Sequence, residues 1–212
     1  LSVCEHEFSV NASGATANGL DLLTLLPQIA ALRQEVDFLL LLFHGGKEYR
    51  MLPSPRQQQL CRFLIDQGVD MIVCQHSHTV GAVERHGRGV IFYGQGNFLF
   101  AMENALSQDG FLLKIRVGGY RDYDYERIAF VQEPPGVRPL SGVARVQWDD
   151  AQAQLAERLA VPGEVERDWQ AFCRHEAALY WSLLHGSGRI RRRLERWLGI
   201  PYSREAQIIL KN

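Results

Sequence analysis

The sequence lacks both a paired-cysteine motif and a long apolar run. Its four cysteines, Cys4, Cys61, Cys74 and Cys173, are far apart, which excludes a thiol redox motif and a zinc-ribbon site. The longest apolar run, residues 36–43, is interrupted by an aspartate and is far shorter than the roughly 20 residues of a membrane-spanning helix. We therefore expect isolated reduced thiols, a cytoplasmic location and no transmembrane segment in this chain.

The chain also lacks an excess of charge of either sign. With 23 Lys and Arg residues against 24 Asp and Glu residues, the formal net charge is -1, so no global field favours nucleic acid or a membrane surface. Arginines cluster over residues 189–196. We interpret this cluster as a solvated helix face, with contact to an anionic polymer, a lipid surface or an acidic partner as the alternative.

The sequence has no initiator methionine, because it begins at Leu1. Its first four residues already have the pattern of a buried strand. We therefore expect it to be the interior of a longer sequence, with an upstream segment that could carry a signal, an anchor or half of the active site.

The first part of the chain, residues 1 to about 135, alternates short apolar runs with helical patterns, which is typical of strands joined by crossover helices. Leucines at helical spacing predict a helix over 21–34, and the run 36–43 predicts a strand buried on both faces. A second helix begins with Ser54 as the N-cap and Pro55 in the first turn.

Histidines follow two of the predicted strands. His44 ends the strand over 36–43, and His76 and His78 come just after a predicted strand over 69–74. Ligands in open α/β sheets bind beyond the carboxyl ends of the strands, so we expect the three side chains to meet at one edge.

Downstream, further strands are predicted over 82–86, 90–93, 111–117 and 127–131, which makes the sheet mixed. Prolines and glycines between 134 and 139 predict a connection, and the pattern is helical beyond Asp149. We therefore divide the chain into residues 1–147 and a helical extension over 148–212. The extension has candidate helices over 149–160, 162–185 and 188–198.

The pair His76 and His78 predicts a metal site. Two residues apart on an extended backbone, the two rings point to one side and lie roughly 6.5 to 7 Å apart. This spacing suits one metal ion, or two ions about 3.5 to 4 Å apart. Imidazole binds zinc, iron, nickel or copper better than magnesium or calcium.

Carboxylates lie near these histidines in the sequence. Glu48 can orient a histidine, accept a proton or hold a substrate amine or hydroxyl, or it is a solvated loop residue. Glu5 and Glu7 flank His6 at the end of the first predicted strand, and alternation puts both carboxylates on one face. We expect one of the two glutamates to face the site.

A glycine-rich segment follows at residues 94–99, and it superficially matches a dinucleotide-binding fingerprint. Its sixth position is Leu99, and no acidic residue stands where a second βαβ unit would need one, so we reject that interpretation. Gly94 and Gly96 instead permit a tight backbone near the site. Asn97 either braces this turn or donates hydrogen bonds to a ligand.

Four sequence blocks in order resemble the CapA-type proteins of the calcineurin-like metallophosphoesterase superfamily, over roughly residues 1 to 102. The blocks are His44-Gly45-Gly46-Lys47-Glu48-Tyr49, Gly68-Val69-Asp70, His76-Ser77-His78 and Tyr93-Gly94-Gln95-Gly96-Asn97-Phe98. The resemblance implies part of a four-layer α/β/β/α sandwich, here with a C-terminal helical appendage. It also implies a phosphoester-hydrolase ancestry, in which two metals activate a water and neutralise charge on a phosphoryl-like centre.

The same resemblance implies a divalent metal (Mn, Zn or Fe). We assign His44, His76 and His78 as metal ligands, Glu48 and Asn97 as catalytic residues, and Glu7, Gly45, Gly46 and Gln95 as substrate-binding residues. The family's N-terminal aspartate, second acidic group and Asn-Asn-His segment have no counterpart here. Either a preceding segment, which could be on a partner chain, completes the site, or this chain binds metal poorly or not at all. The number of bound ions, one or two, stays open.

Two functions remain open from the sequence. The first is a metal-dependent hydrolase or transferase in bacterial capsule, poly-γ-glutamate or cell-surface polymer biosynthesis. The second is a non-catalytic binding or assembly component of a polymer-synthesis complex that retains the fold. The expected ligand is an anionic polymer or a phosphorylated small molecule, and nucleic acid is not expected.

Overall fold

The computed structural model describes residues 1–5, 17–100 and 108–185. Its elements in chain order are β1 (Ser2–Cys4), α1 (Leu22–Leu32), β2 (Leu40–His44), α2 (Pro55–Asp66), β3 (Met71–Gln75), β4 (Val83–His86), β5 (Gly89–Phe92), β6 (Asp109–Gly119), β7 (Asp122–Glu133), β8 (Gly136–Pro139), α3 (Gly142–Ala160) and α4 (Glu164–His185). Within these ranges, no helix combines the length and apolar character required to cross a bilayer.

Two sheets form the framework. The first has the strand order β1-β2-β3-β5-β4, in which only β4 pairs antiparallel with its neighbour. The second is an antiparallel sheet in the order β6-β7-β8. The predicted change from parallel to mixed pairing is confirmed, whereas β8 occupies the segment that the sequence predicted as a plain connection.

Side chains of the first sheet alternate between two cores. In β3, Ile72 and Cys74 belong to a core with α1 and α2, whereas Met71 and Val73 pack towards the second sheet. Helices therefore cover one face and the second sheet covers the other. This arrangement confirms the predicted α/β class, and the described residues supply an α/β/β part of the expected layers.

The predicted strand over 36–43 is shorter and less buried than expected. β2 begins at Leu40, and Leu42 is 40% exposed. Leu42 belongs to neither of the two described cores, although Leu40 of the same strand packs against the second one. The prediction of burial on both faces was therefore wrong at Leu42.

The predicted start of α2 is confirmed, and α1 lies within its predicted range of 21–34 but ends two residues early, at Leu32. The Asp21 side chain accepts a hydrogen bond from Leu23 N at 3.0 Å and caps α1. Ser54 caps α2 in the same way, from Gln57 N at 3.1 Å, with Pro55 in the first turn. Both caps satisfy an N–H group that has no partner within its helix.

A buried carboxylate fixes the start of β3. Asp70 is 1% exposed, and its side chain accepts hydrogen bonds from Leu39 N at 2.8 Å and from Arg121 Nε at 2.9 Å. It also pairs with Arg33, just past the end of α1. The aspartate of the Gly68-Val69-Asp70 block therefore connects α1, β2 and the turn between β6 and β7, which is a structural role.

The helical region begins earlier than predicted, since α3 starts at Gly142 rather than near residue 149. Trp148 packs against Phe111 with ring centroids 6.3 Å apart. The chain separates into two compact units, Leu1–Val165 and Glu166–Asn212. The division into residues 1–147 and 148–212 stays a prediction, and the predicted helix over 188–198 and its arginine cluster lie outside the described residues.

Candidate metal centre

The parallel sheet delivers the histidines to one edge, as the sequence predicted. His44 ends β2 and pairs in register with Gln75, the last residue of β3, directly before His76. Two hydrogen bonds join the loops that follow these strands, from Gly45 N to Gln75 O at 3.1 Å and from Tyr49 N to Ser77 O at 2.7 Å. The two loops are therefore held against each other beyond the strand ends.

The backbone around the site is unusual for residues other than glycine. His76, His78 and Tyr49 have φ angles of 99°, 57° and 59°. Positive φ costs free energy in residues with a Cβ atom, and such residues concentrate at functional sites. The expectation of an extended His76-Ser77-His78 segment is therefore wrong, because left-handed residues make this segment a tight loop.

Gly94 lies two residues after the end of β5 and permits this segment to pack closely against the histidine loop. A Cβ atom at Gly94 would lie 2.5 Å from both Ser77 Oγ and Thr79 O. Real Cβ atoms do not approach other atoms so closely, so any larger residue would push the histidine loop away. The predicted role of Gly94 in permitting a tight backbone is confirmed.

The three histidine rings lie next to one another. Ring centroids are 5.2 Å apart for His44 and His76, and 5.8 Å apart for His76 and His78. Glu48 Oε1 lies 4.0 Å from His76 Nε2. One ligand atom each from Glu48, His76 and His78 lies within 4.8 Å of the other two.

This donor set fits a divalent transition metal. One ion with ligand bonds of about 2.0 to 2.2 Å spans donors up to about 4.4 Å apart, so small side-chain rotations bring the group into range. Imidazole suits zinc, copper, iron or nickel, and carboxylate suits manganese, so the donor set by itself does not select one metal. Glu48, which we assigned to catalysis, is thus a member of the donor group, and the assignment of His44 as a ligand stays a prediction.

Burial favours the metal-binding form of His76. Desolvation lowers the pKa of His76 below its ordinary value, the nearby Glu48 carboxylate opposes this effect, and His44 and His78 reinforce it. A lowered pKa keeps the imidazole neutral near pH 7, and only the neutral ring can ligate a metal.

Asn97 orients His78. Its side-chain oxygen lies 2.9 Å from His78 Nδ1. Because a carbonyl oxygen only accepts, Nδ1 carries the proton and Nε2 presents its lone pair to a ligand. Of the two roles considered for Asn97, this contact supports bracing, and its assignment as a catalytic residue stays a prediction.

Glu5 is one of the two glutamates that the sequence predicted near the site, and it lies against the glycines that follow His44. Its Oε2 accepts a hydrogen bond from Gly46 N at 2.8 Å, and a Cβ atom at Gly45 would lie 2.6 Å from its Cγ. β1 ends at Cys4, and Glu7 lies outside the described residues. The N–H groups of Gly45 and Gly46 both donate within the protein, and a role of the two glycines in substrate binding stays a prediction.

A cavity of about 350 Å³ opens beside the donor group. Gln75 and Gln95 lie in its wall, joined by a hydrogen bond of 3.1 Å from Gln75 Nε2 to Gln95 Oε1. Gln95, which the sequence predicted to bind substrate, therefore belongs to the cavity lining, and its role in substrate binding stays a prediction. Sequence reasoning missed Gln75, although its place directly before His76 at the end of β3 was a usable signal.

Sequence comparison agrees with this site. Residues 4–102 match the family model described as bacterial capsule synthesis protein PGA_cap. The PGA biosynthesis protein CapA of Bacillus subtilis (strain 168) is 35% identical over 89 residues, and the capsule biosynthesis protein CapA of Bacillus anthracis is 34% identical over 94 residues. Each alignment covers 42% of this chain and only 23% of the relative. The matched region contains every described member of the donor group, and it identifies residues 4–102 as a CapA-type segment of the PGA_cap family, which has a metallophosphoesterase-like fold.

Proposed function

We propose that this protein is a metal-dependent hydrolase or transferase of the metallophosphoesterase type, acting in bacterial capsule, poly-γ-glutamate or cell-surface polymer biosynthesis. The observation that carries the proposal is the convergence of Glu48, His76 and His78 beyond the ends of parallel strands. The names of the two Bacillus relatives support the biosynthetic context.

In this proposal the chain's own residues hold and orient the metal. Glu48, His76 and His78 would be the ligands, with His44 beside His76 as a fourth donor. Because Asn97 Oδ1 holds the proton on His78 Nδ1, the lone pair on His78 Nε2 is available to the metal. A divalent ion held here would supply Lewis-acid charge for a phosphoryl centre and would lower the pKa of water.

The site offers few acidic donors. Among the described residues, the donor group contains one carboxylate, that of Glu48, and the nearby Glu5 carboxylate accepts from Gly46 N. We propose that a further segment of the gene product, or a partner chain, contributes acidic ligands.

We also propose a cytoplasmic location, which agrees with the four free cysteines.

The small number of acidic donors also supports one alternative function, that of a non-catalytic binding or assembly component of a polymer-synthesis complex. Such a protein would retain the fold and use the cavity to hold a ligand. Metal-dependent turnover separates the two functions.

Metal analysis tests the first requirement. The full-length gene product should contain a divalent transition metal, and His76→Ala and His78→Ala should lose most of it. His86→Ala is the matched control, because His86 pairs with Asp66 at 2.9 Å outside the site. Metal content in His76→Ala equal to that of the control would rule out this centre.

Turnover tests the second requirement. Hydrolysis of a generic phosphoester such as p-nitrophenyl phosphate should depend on manganese or zinc and should be abolished by His44→Ala. If metal is bound but no phosphoester is hydrolysed, the non-catalytic alternative replaces the enzyme. If hydrolysis persists in His44→Ala at the rate of His86→Ala, His44 has no part in the site.

A further inference from the structure

The cavity beside the donor group is lined by two chemically different sets of side chains. One set is the imidazoles of His44, His76 and His78. The other set is Phe98, Leu99, Phe100 and Leu112, and we call these four residues the apolar wall. Leu99 is 58% exposed and Leu112 is 47% exposed, so the wall presents substantial apolar surface to whatever enters the cavity.

The apolar wall begins at the donor group itself. The Phe100 ring lies 4.9 Å from the His78 ring, centroid to centroid. Phe98 is held edge-on by the buried Phe130, with centroids 5.3 Å apart. A ligand whose head reaches His78 therefore has its next atoms beside Phe100 and the rest of the wall.

Charge argues against an anionic chain along this wall. Among the described residues that line the cavity, none is Lys, Arg, Asp or Glu. Three polar side chains of the lining already have partners within the protein: Gln75 donates to Gln95, Gln95 donates to Phe111 O, and Asn97 accepts from His78. Successive carboxylates of a polymer would lose water here without gaining a cation.

We propose that the ligand is a phosphate monoester of an apolar alcohol, with its phosphate at the histidines and its apolar group on the apolar wall. This inference rests on the proposed function, because it names the substrate class of the same site. The cavity volume of about 350 Å³ falls in the usual range for small-molecule sites, roughly 300 to 1,000 Å³. It accommodates a phosphate and a short apolar group.

Binding of alkylphosphonates tests the proposal without turnover, because their carbon–phosphorus bond is not an ester. Methyl-, butyl-, hexyl- and octylphosphonate are titrated calorimetrically into the full-length gene product, below the concentrations at which they form micelles. Affinity should rise about three- to fourfold for each methylene that the wall buries. Metal content is measured on the same samples.

Two variants locate the apolar group. Leu112→Ser and Leu99→Ser should flatten the dependence of affinity on chain length, because each removes apolar surface that the longer alkyl groups would bury. Val117→Ser is the matched control, since Val117 is a similarly exposed residue of β6, at 50%, outside the cavity lining. The proposal would be overturned if affinity rose as steeply with chain length in Leu112→Ser and Leu99→Ser as in Val117→Ser.

The remaining outcomes separate the inference from the proposed function. Equal affinity for all four phosphonates with metal bound would overturn the apolar ligand and leave the metal-dependent function standing. Displacement of methylphosphonate by an oligoglutamate, together with equal affinities along the series, would assign the cavity to an anionic polymer. Absence of both metal and phosphonate binding would refute the proposed function and the inference together.

Discussion

His78 Nδ1 and Asn97 Oδ1 are joined by a hydrogen bond of 2.9 Å, which links the histidine loop after β3 to the segment after β5. Outer partners of this kind fix the ring orientation of a metal-binding histidine and increase its basicity.

Removing this partner should weaken metal binding. Asn97→Ala is expected to lower metal affinity by about 10- to 100-fold, whereas Asn97→Asp keeps an acceptor and should lose less. Competition with a chelating dye measures the affinity. Asn18→Ala is the control, because the Asn18 side chain donates to Ser2 O at the edge of the first sheet. Equal affinities for Asn97→Ala and Asn18→Ala would contradict the orienting role.

Gly94→Ala should displace the histidine loop. The new Cβ atom would lie 2.5 Å from Ser77 Oγ and Thr79 O, and relief of such a clash typically costs about 1–3 kcal/mol. Urea unfolding should show this loss, and metal affinity should fall as well. Gly136→Ala is the matched control, since a Cβ atom there has nothing within 4 Å. If Gly94→Ala changed neither the stability nor the metal affinity, the histidine loop could shift without a cost in free energy, which would contradict the prediction.

Asp70→Ala should be strongly destabilising, because it leaves the Arg33 guanidinium buried without its carboxylate. Breaking a buried ion pair from one side typically costs about 3–5 kcal/mol. Asp124→Ala removes the carboxylate of an exposed pair with Arg116 and should cost less than about 1 kcal/mol. Denaturant titration of both variants measures the contrast, and similar losses would contradict the structural role of Asp70.

Asp109 should make stability depend on pH. Burial raises the pKa of Asp109 above its ordinary value of 3.8, although the hydrogen bond from Trp148 Nε1 acts in the opposite direction. The folded state therefore holds the proton to higher pH than the unfolded state, so the contribution of Asp109 to stability falls as the pH rises from about 3.8 through the raised pKa.

Asp109→Asn removes this titration and keeps an acceptor for Trp148. The variant should match the parent protein at low pH and become relatively more stable as the pH rises towards 7. Chemical denaturation at a series of pH values measures the difference in unfolding free energy. Asp150→Asn, an exposed position on α3, is the control. A difference between Asp109→Asn and parent that stays constant with pH would contradict the prediction.

The sequence by itself determined the helices at their capped ends and the edge at which the histidines meet. Ser54-Pro55 and Asp21 are local signals, because a cap acts within one turn of its helix. The strand-end positions of His44, His76 and His78 follow from chain order, because parallel strands end at the same edge. The block pattern also indicated the CapA type, which the comparisons support for residues 4–102.

Only the tertiary structure decided which groups surround these histidines. Glu48 lies with His76 and His78 in one donor group, next to the left-handed residue Tyr49. Asp70 has a structural role, because Arg33 and Arg121 pair with it from other elements. The apolar wall combines residues after β5 with Leu112 of β6, so no local pattern could reveal it. Such contacts depend on packing between segments far apart in sequence, whereas caps and strand ends depend on neighbouring residues alone.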